Sequence, residues 1–184
     1  MPSTMCKRKY HPSTSGETED PERYTQGGLH PIHIGDYLQE KRYRIVHKLG
    51  YGSFSTNWLA RDEVNARYVS LKIARADAPE EKNEISVLRH LAADQSQASH
   101  PGKEYVMKLL DEFIVCGPNG NHRCYVSRPA GRRVGRIEDD GGDSMQFSLQ
   151  FSLQLIEALM YLQSLEIAHA GELEKPLRLL PNVR

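Results

Sequence analysis

Cysteine is scarce. Cys6, Cys116 and Cys124 are the three in 184 residues, an odd number without metal-type spacing. That argues against a disulfide framework and suits free thiols in a reducing compartment. Cys116 and Cys124 flank the turn Gly117-Pro118-Asn119-Gly120, so a pairing across a hairpin is the one bridge left open. An excess of charge of either sign is also missing: 24 basic residues stand against 24 acidic ones. No overall field then draws the chain to nucleic acid or to a membrane surface. No run approaches the ~18 apolar residues of a membrane helix, and the N-terminus lacks the apolar stretch of a signal peptide. Metal signals are weak. Asp139-Asp140-Gly141-Gly142-Asp143 has no loop-closing Glu for calcium and reads as a solvated loop. Lys7-Arg8-Lys9 reads as part of a solvated tail, with a nuclear address as the alternative. Hydrophobic residues make up 39% of the chain, which is low for a compact domain.

Residues 1–26, rich in Ser, Thr, Glu and Pro, read as a disordered tail. Gly27 to Asp36 is a compact, turn-rich lead-in. Strands follow at Tyr43–Leu49, Thr56–Arg61 and Tyr68–Ile73, where β-formers cluster between glycine- and asparagine-containing turns. Pro79 to about Ala93 has the marks of a helix: Pro79, Glu80 and Glu81 suit its first turn, and Ile85, Leu88 and Leu91 share a face. Val106–Val115 reads as one long strand or two short ones, and Arg123–Ser127 as another. About five antiparallel strands and one helix make an α+β lobe. A second helix runs from Phe147 to about Leu165, with Phe147, Phe151, Leu155, Leu159 and Leu162 as its apolar stripe.

The most informative stretch opens Lys48-Leu49-Gly50-Tyr51-Gly52-Ser53-Phe54-Ser55 and closes Val69-Ser70-Leu71-Lys72. A glycine-rich turn followed by a strand ending in lysine is the order of parts with which protein kinases hold nucleotide phosphates. Glycine lets the backbone approach a charged ligand, and lysine supplies a point charge. Together with Gly27–Asp36 and Phe54-Ser55-Thr56-Asn57-Trp58-Leu59-Ala60-Arg61-Asp62, the stretch resembles the SR-protein kinases, Ser/Thr kinases of the CMGC group, and is most like their fungal members. The resemblance runs over roughly residues 19–169.

It implies a kinase N-lobe and hinge over 27–131, a loop over 132–146, and the first helix of an incomplete C-lobe with the start of a catalytic loop over 147–170. Residues 171–184 form an unmatched tail. It implies ATP as the bound nucleotide, with Mg²⁺ in the family, and Arg/Ser-rich proteins as substrates, with no direct nucleic-acid or membrane partner and a cytoplasmic or nuclear location. Its phosphate loop maps onto Leu49, Gly50, Gly52, Ser53, Phe54 and Ser55, the last replacing a third glycine. Lys72 maps onto the lysine that contacts the phosphates, with Glu84 as its helix partner and Glu80 or Glu81 as alternatives. Ser127, Arg128 and Ala130 map onto the link that meets adenine. His30 and His33 then read as lead-in packing and Trp58 as core or lobe packing.

The chain departs from the family pattern in four ways. Asn57 stands for valine and Ser70 for alanine over the adenine; an unpaired polar group there costs on the order of 1–3 kcal/mol. Either could instead bond a neighbour or a base nitrogen. His169 is a remnant of the catalytic loop, since Gly171 stands where an Asp would orient the substrate hydroxyl. Neither an Asp-Phe-Gly metal motif nor an activation segment follows. The expectation is a chain truncated at the catalytic loop, with no meaningful turnover of its own. The alternative is an inactive binding module that docks a partner through an unpartnered 147–165 helix.

Overall fold

The computed structural model describes residues 18–78, 84–94, 99–131 and 144–167. They fall into two compact units, one drawn from 1–81 with 110–126, the other from 82–109 with 127–184.

The first unit is built on a six-stranded sheet. The strands are β1 (Tyr37–Leu38), β2 (Tyr43–Tyr51), β3 (Ser55–Asp62), β4 (Arg67–Ala74), β5 (Leu109–Gly117) and β6 (Gly120–Ser127), in the order β1-β2-β3-β4-β6-β5. The pairs β1–β2, β2–β3 and β3–β4 are antiparallel. The sequence suggests about five strands. The sixth, β1, is two residues long, too short to show any alternation. Alternation is clear in β3 and β4: Trp58, Ala60, Val69, Leu71 and Ile73 are buried with Tyr43, Ile45, Val115, Cys124 and Val126 in one apolar cluster. Leaving one such side chain exposed would forgo about 1.5–3 kcal/mol, so this face fixes the register of the sheet. Trp58 belongs to this core, as its sequence context suggests. Cys116 is exposed, Cys124 is buried, and both are free thiols.

Residues 18–26, expected to be disordered, are ordered against the sheet. Asp20 caps a 3-10 turn at Pro21–Arg23 by accepting from the Glu22 N–H. The Gly27 N–H donates to the Asn119 carbonyl, and Ala76 and Asp77 donate to the Gly28 and Gly27 carbonyls. Leu29 is wholly buried. Backbone bonds and a few polar anchors hold this segment, which is why a composition poor in apolar residues misread it.

His30 packs against His122, with ring centroids 4.8 Å apart, in a notch that Gly117 leaves open; a Cβ there would stand 2.3 Å from the His30 ring. His33, by contrast, is exposed and pairs with Asp36, so only His30 of the two is lead-in packing. Burial first, then the nearby His122, pushes the His30 pKa below its ordinary value, with Asp36 opposing weakly. A histidine held neutral in the fold stabilises it above the unfolded pKa of about 6.5 and loses that contribution as pH falls further. The urea midpoint is therefore expected to drop between pH of about 7.5 and 5.5, and His30→Leu to flatten the profile. Equal slopes for the two proteins would contradict this.

The second unit contains α1 (Glu84–Ala93), a 3-10 turn at Pro101–Tyr105, and α2 (Ser144–Ser164). Residues 79–83, where the sequence places the helix start, and the acidic run 139–143 lie outside the described residues. His100 caps the 3-10 turn by accepting from the Gly102 N–H at 3.1 Å. The Tyr161 hydroxyl donates to Asp94 at 3.0 Å, and Lys103 donates to the Asp94 carbonyl at 2.6 Å. Among the described residues, no helix is long and apolar enough to cross a membrane.

The apolar stripe expected on α2 needs correction. Phe147, Phe151, Leu155 and Leu162 are half-buried, and Ala158 and Tyr161 are buried. Leu159 of that stripe is exposed, and with it Met145, Leu149, Leu153, Ile156 and Met160, which the stripe did not include. Both faces carry apolar residues at helical spacing, so periodicity alone does not say which is covered.

Candidate nucleotide-binding face

The β2–β3 connection is tight. The Gly52 N–H donates to the Ser55 carbonyl at 2.8 Å, and the Arg75 N–H ties the Phe54 carbonyl to the end of β4 at 2.9 Å. The register shifts between Lys48 and Gly50, which makes Leu49 the extra residue of a bulge. Gly50 has a φ of +150°, and a Cβ built on it would meet no described atom within 4 Å. A Cβ on Gly52 would meet only the Ser55 hydroxyl, at 3.8 Å. The space beside both glycines is therefore open, as a cradle for a ligand requires. Ser53 and Phe54 are exposed at the tip, whereas Ser55 is buried.

Gly50 pairs with Asn57, and Asn57 pairs with Lys72. Directly opposed residues on one sheet face stand about 5 Å apart, so the turn glycine, the asparagine and the lysine form one row across three strands. Ser70 lies opposite Leu59, two residues along β4 and on the same face as Lys72. Asn57, Ser70 and Lys72 are half-buried, while Trp58, Leu71 and Ile73 point into the core on the other side. The Asn57 Oδ1 is buried and meets no hydrogen-bond partner among the described residues.

Glu84 is the first residue of α1. Ser127 closes β6 and its hydroxyl donates to the Arg128 carbonyl at 3.3 Å; Arg128 and Ala130 are exposed beyond it. These four belong to the second unit. His169 lies outside the described residues. Thus the structure gathers Gly50, Gly52, Asn57, Ser70 and Lys72 within one unit, with Leu49 and Ser53–Ser55 forming the rim. Among the described residues, no group of three His, Cys, Asp or Glu could hold a metal.

The structure adds a polar cluster under the turn that the sequence did not single out. Lys48 lies over the Trp58 ring at 5.2 Å and pairs with Glu19, which also accepts from the Tyr24 hydroxyl. Burial pushes the Glu19 pKa up, but the bonds from Lys48 and Tyr24 outweigh it and leave it lowered. Burial, and then the bond to Glu19, raise the Tyr24 pKa. Arg23 donates to the carbonyls of Gly52, at 3.3 Å, and of Ser53. No sequence motif marks Arg23, which lies some thirty positions from its partners.

An open-faced sheet with a glycine turn, and a lysine beside it in register, is the N-lobe of a protein kinase. A crystallised kinase domain superposes with a TM-score of 0.58 over 74% of this chain and 39% of its own length, at 19% identity, which speaks for the fold alone. No family model matches the chain. Curated relatives do. Protein kinase dsk1 of Schizosaccharomyces pombe is 36% identical over 148 residues, 78% of this chain and 27% of its own length. SRSF protein kinase 3 of Homo sapiens is 37% identical over 123 residues, 66% and 22% of the two chains. Serine/threonine-protein kinase SKY1 of Saccharomyces cerevisiae is 36% identical over 146 residues, 76% and 20%. By sequence the chain is similar to SR-protein kinases over 66–78% of its length, and it spans between a fifth and about a quarter of the length of these three relatives.

Proposed function

We propose that this chain carries the nucleotide-binding lobe of a Ser/Thr protein kinase of the SR-protein type and binds ATP on the face of β2, β3 and β4. The single observation that carries this reading is the row Gly50–Asn57–Lys72 beside an open glycine turn. In it, Lys72 opposes phosphate charge and the backbone of residues 50–55 approaches the phosphates. The resemblance assigns Glu84 the role of the lysine's helix partner, and Ser127, Arg128 and Ala130 the adenine edge. When bound, ATP supplies the transferable phosphoryl group. The described residues offer Mg²⁺ no carboxylate cluster, and Gly171, outside them, carries no carboxylate to orient a substrate hydroxyl. Arg/Ser-rich proteins are the proposed substrate class of the parent activity, while transfer by this chain itself is expected to be negligible.

Titration calorimetry with Mg-ATP tests the binding. Lys72→Ala is expected to weaken affinity by at least about tenfold, the size of one charge-assisted contact. Equal affinity of the two proteins would remove Lys72 from the site. A second reading, a docking module, draws on the exposed α2 residues Leu149, Leu153, Ile156 and Met160. Under that reading, Leu153→Asp would abolish binding of an apolar dye to this face; undiminished dye binding would remove it.

A further inference from the structure

Arg23 reaches the glycine turn from the segment that precedes the sheet. Its guanidinium donates through two nitrogens, Nη1 to the Gly52 carbonyl and Nη2 to the Ser53 carbonyl. The chain contains no cis peptide among its described residues, and in a trans peptide the C=O and the following N–H point in opposite directions. Holding the Gly52 and Ser53 carbonyls on one side therefore turns the N–H groups of Ser53 and Phe54 toward the other. The Gly52 N–H is already spent on Ser55. Arg23 thus sets the orientation of the two peptide planes at the tip of the turn.

The arginine is itself held in place. Its own carbonyl accepts from the Leu29 N–H at 2.8 Å, and Leu29 is fully buried. The neighbouring Tyr24 bonds to Glu19, which pairs with Lys48 on β2. Farther along the segment, the Asn119 side chain donates to the Leu29 carbonyl at 2.6 Å. An arginine fork fixes a geometry that a lone ammonium does not, and here it is mounted on a braced segment rather than on a free tail.

We propose that Arg23 is a positioning residue. It presets the tip of the glycine turn so that backbone N–H groups are aligned for an anionic phosphate chain before the nucleotide arrives, which lowers the ordering cost of binding. The inference rests on the nucleotide reading given above, and it assigns to residues 18–26 a role in phosphate recognition rather than in folding alone. It also predicts selectivity by ligand part. Arg23 acts on groups that face phosphates, so its loss should spare whatever affinity the nucleoside has by itself.

The test uses the whole chain as wild type, Arg23→Ala and Arg23→Lys, with two readouts. Amide hydrogen exchange without ligand is expected to quicken at Ser53 and Phe54 in Arg23→Ala, with β3 and β4 unchanged. Titration is expected to show ATP and ADP bound about tenfold more weakly by Arg23→Ala, with adenosine unaffected and Arg23→Lys in between. Unchanged exchange, equal weakening of adenosine and ATP, or tighter ATP binding would each overturn the role of Arg23 while leaving the nucleotide site standing. A wild type that binds neither adenosine nor ATP would overturn the nucleotide reading, and the phosphate role with it.

Discussion

Asp62→Ala is expected to cost about 3–5 kcal/mol, the toll of removing one partner from a buried ion pair. That is a large part of the 5–15 kcal/mol that holds a typical domain together. The Asp62 side chain is 1% exposed. Its Oδ1 accepts from Arg42 Nε at 3.2 Å and from the N–H groups of Val64 and Asn65, both at 3.2 Å. Its Oδ2 accepts from Arg42 Nη2 at 3.3 Å and from the Asn65 amide at 2.7 Å. Arg42 reaches on to Asp111 at 2.9 Å, where the Tyr43 hydroxyl also donates at 2.7 Å. Asp62 thus closes the β3–β4 turn and anchors Arg42, which with Tyr43 reaches Asp111 of β5. Without it, three N–H donors of Val64 and Asn65 lose their partner, Arg67 loses its ion pair, and Arg42 is left with Asp111 alone. Burial pushes the Asp62 pKa up, but the bonds from Arg42 and Asn65 outweigh it and hold it at about 2. A depressed carboxylate stabilises the fold above its unfolded pKa of about 4 and loses that contribution as pH falls toward the folded value. Trp58, the one tryptophan, is buried in the same unit and reports its urea unfolding. A midpoint for Asp62→Ala close to wild type would show the network to be dispensable.

Gly102→Ala carries the second large effect. A Cβ there would lie 1.8 Å from the Glu157 carbonyl oxygen, 2.4 Å from its carbon and 3.0 Å from the Ala158 nitrogen. All three are backbone atoms of α2, so no rotamer change relieves the clash. The 3-10 turn at Pro101–Tyr105 must then back away from the helix, and the His100–Tyr161 ring contact at 5.4 Å and the Tyr161–Asp94 bond go with it. Overpacking of this kind costs about 3 kcal/mol or more where neither side can yield. Hydrogen exchange at Ala158 to Leu162 is expected to quicken by about two orders of magnitude. Wild-type protection along α2 in Gly102→Ala would contradict the backbone contact.

What could be read in the sequence, and what could not, follows from the kind of force at each place. β3 and β4 were legible because alternate residues enter one apolar core, and Gly50, Gly52 and Lys72 stood out because their types and order match the pattern with which kinases hold phosphates. The register that sets Asn57 beside Lys72 follows from that same alternation. The ordering of residues 18–26 was not legible, since it comes from Glu19, Tyr24, Asn119 and backbone bonds, with only Leu29 as an apolar sign nearby. Arg23 could not be found at all: nothing local distinguishes it from a solvated arginine. The stripe of α2 was expected to lack a partner, yet Phe147, Phe151, Leu155 and Leu162 are half-buried beside the buried Ala158 and Tyr161. Gly102, which has no Cβ, lets its turn meet the α2 backbone at Glu157 and Ala158, and periodicity carries no sign of that contact.

The central claim is that the Gly50–Asn57–Lys72 face takes a nucleotide. Amide chemical-shift mapping of the full chain during a Mg-ATP titration tests it most directly. The expected result is saturable shifts at Gly50 to Ser55, Asn57 and Lys72, lost in Lys72→Ala. Shifts confined to other parts of the chain, or none at saturating ATP, would contradict it.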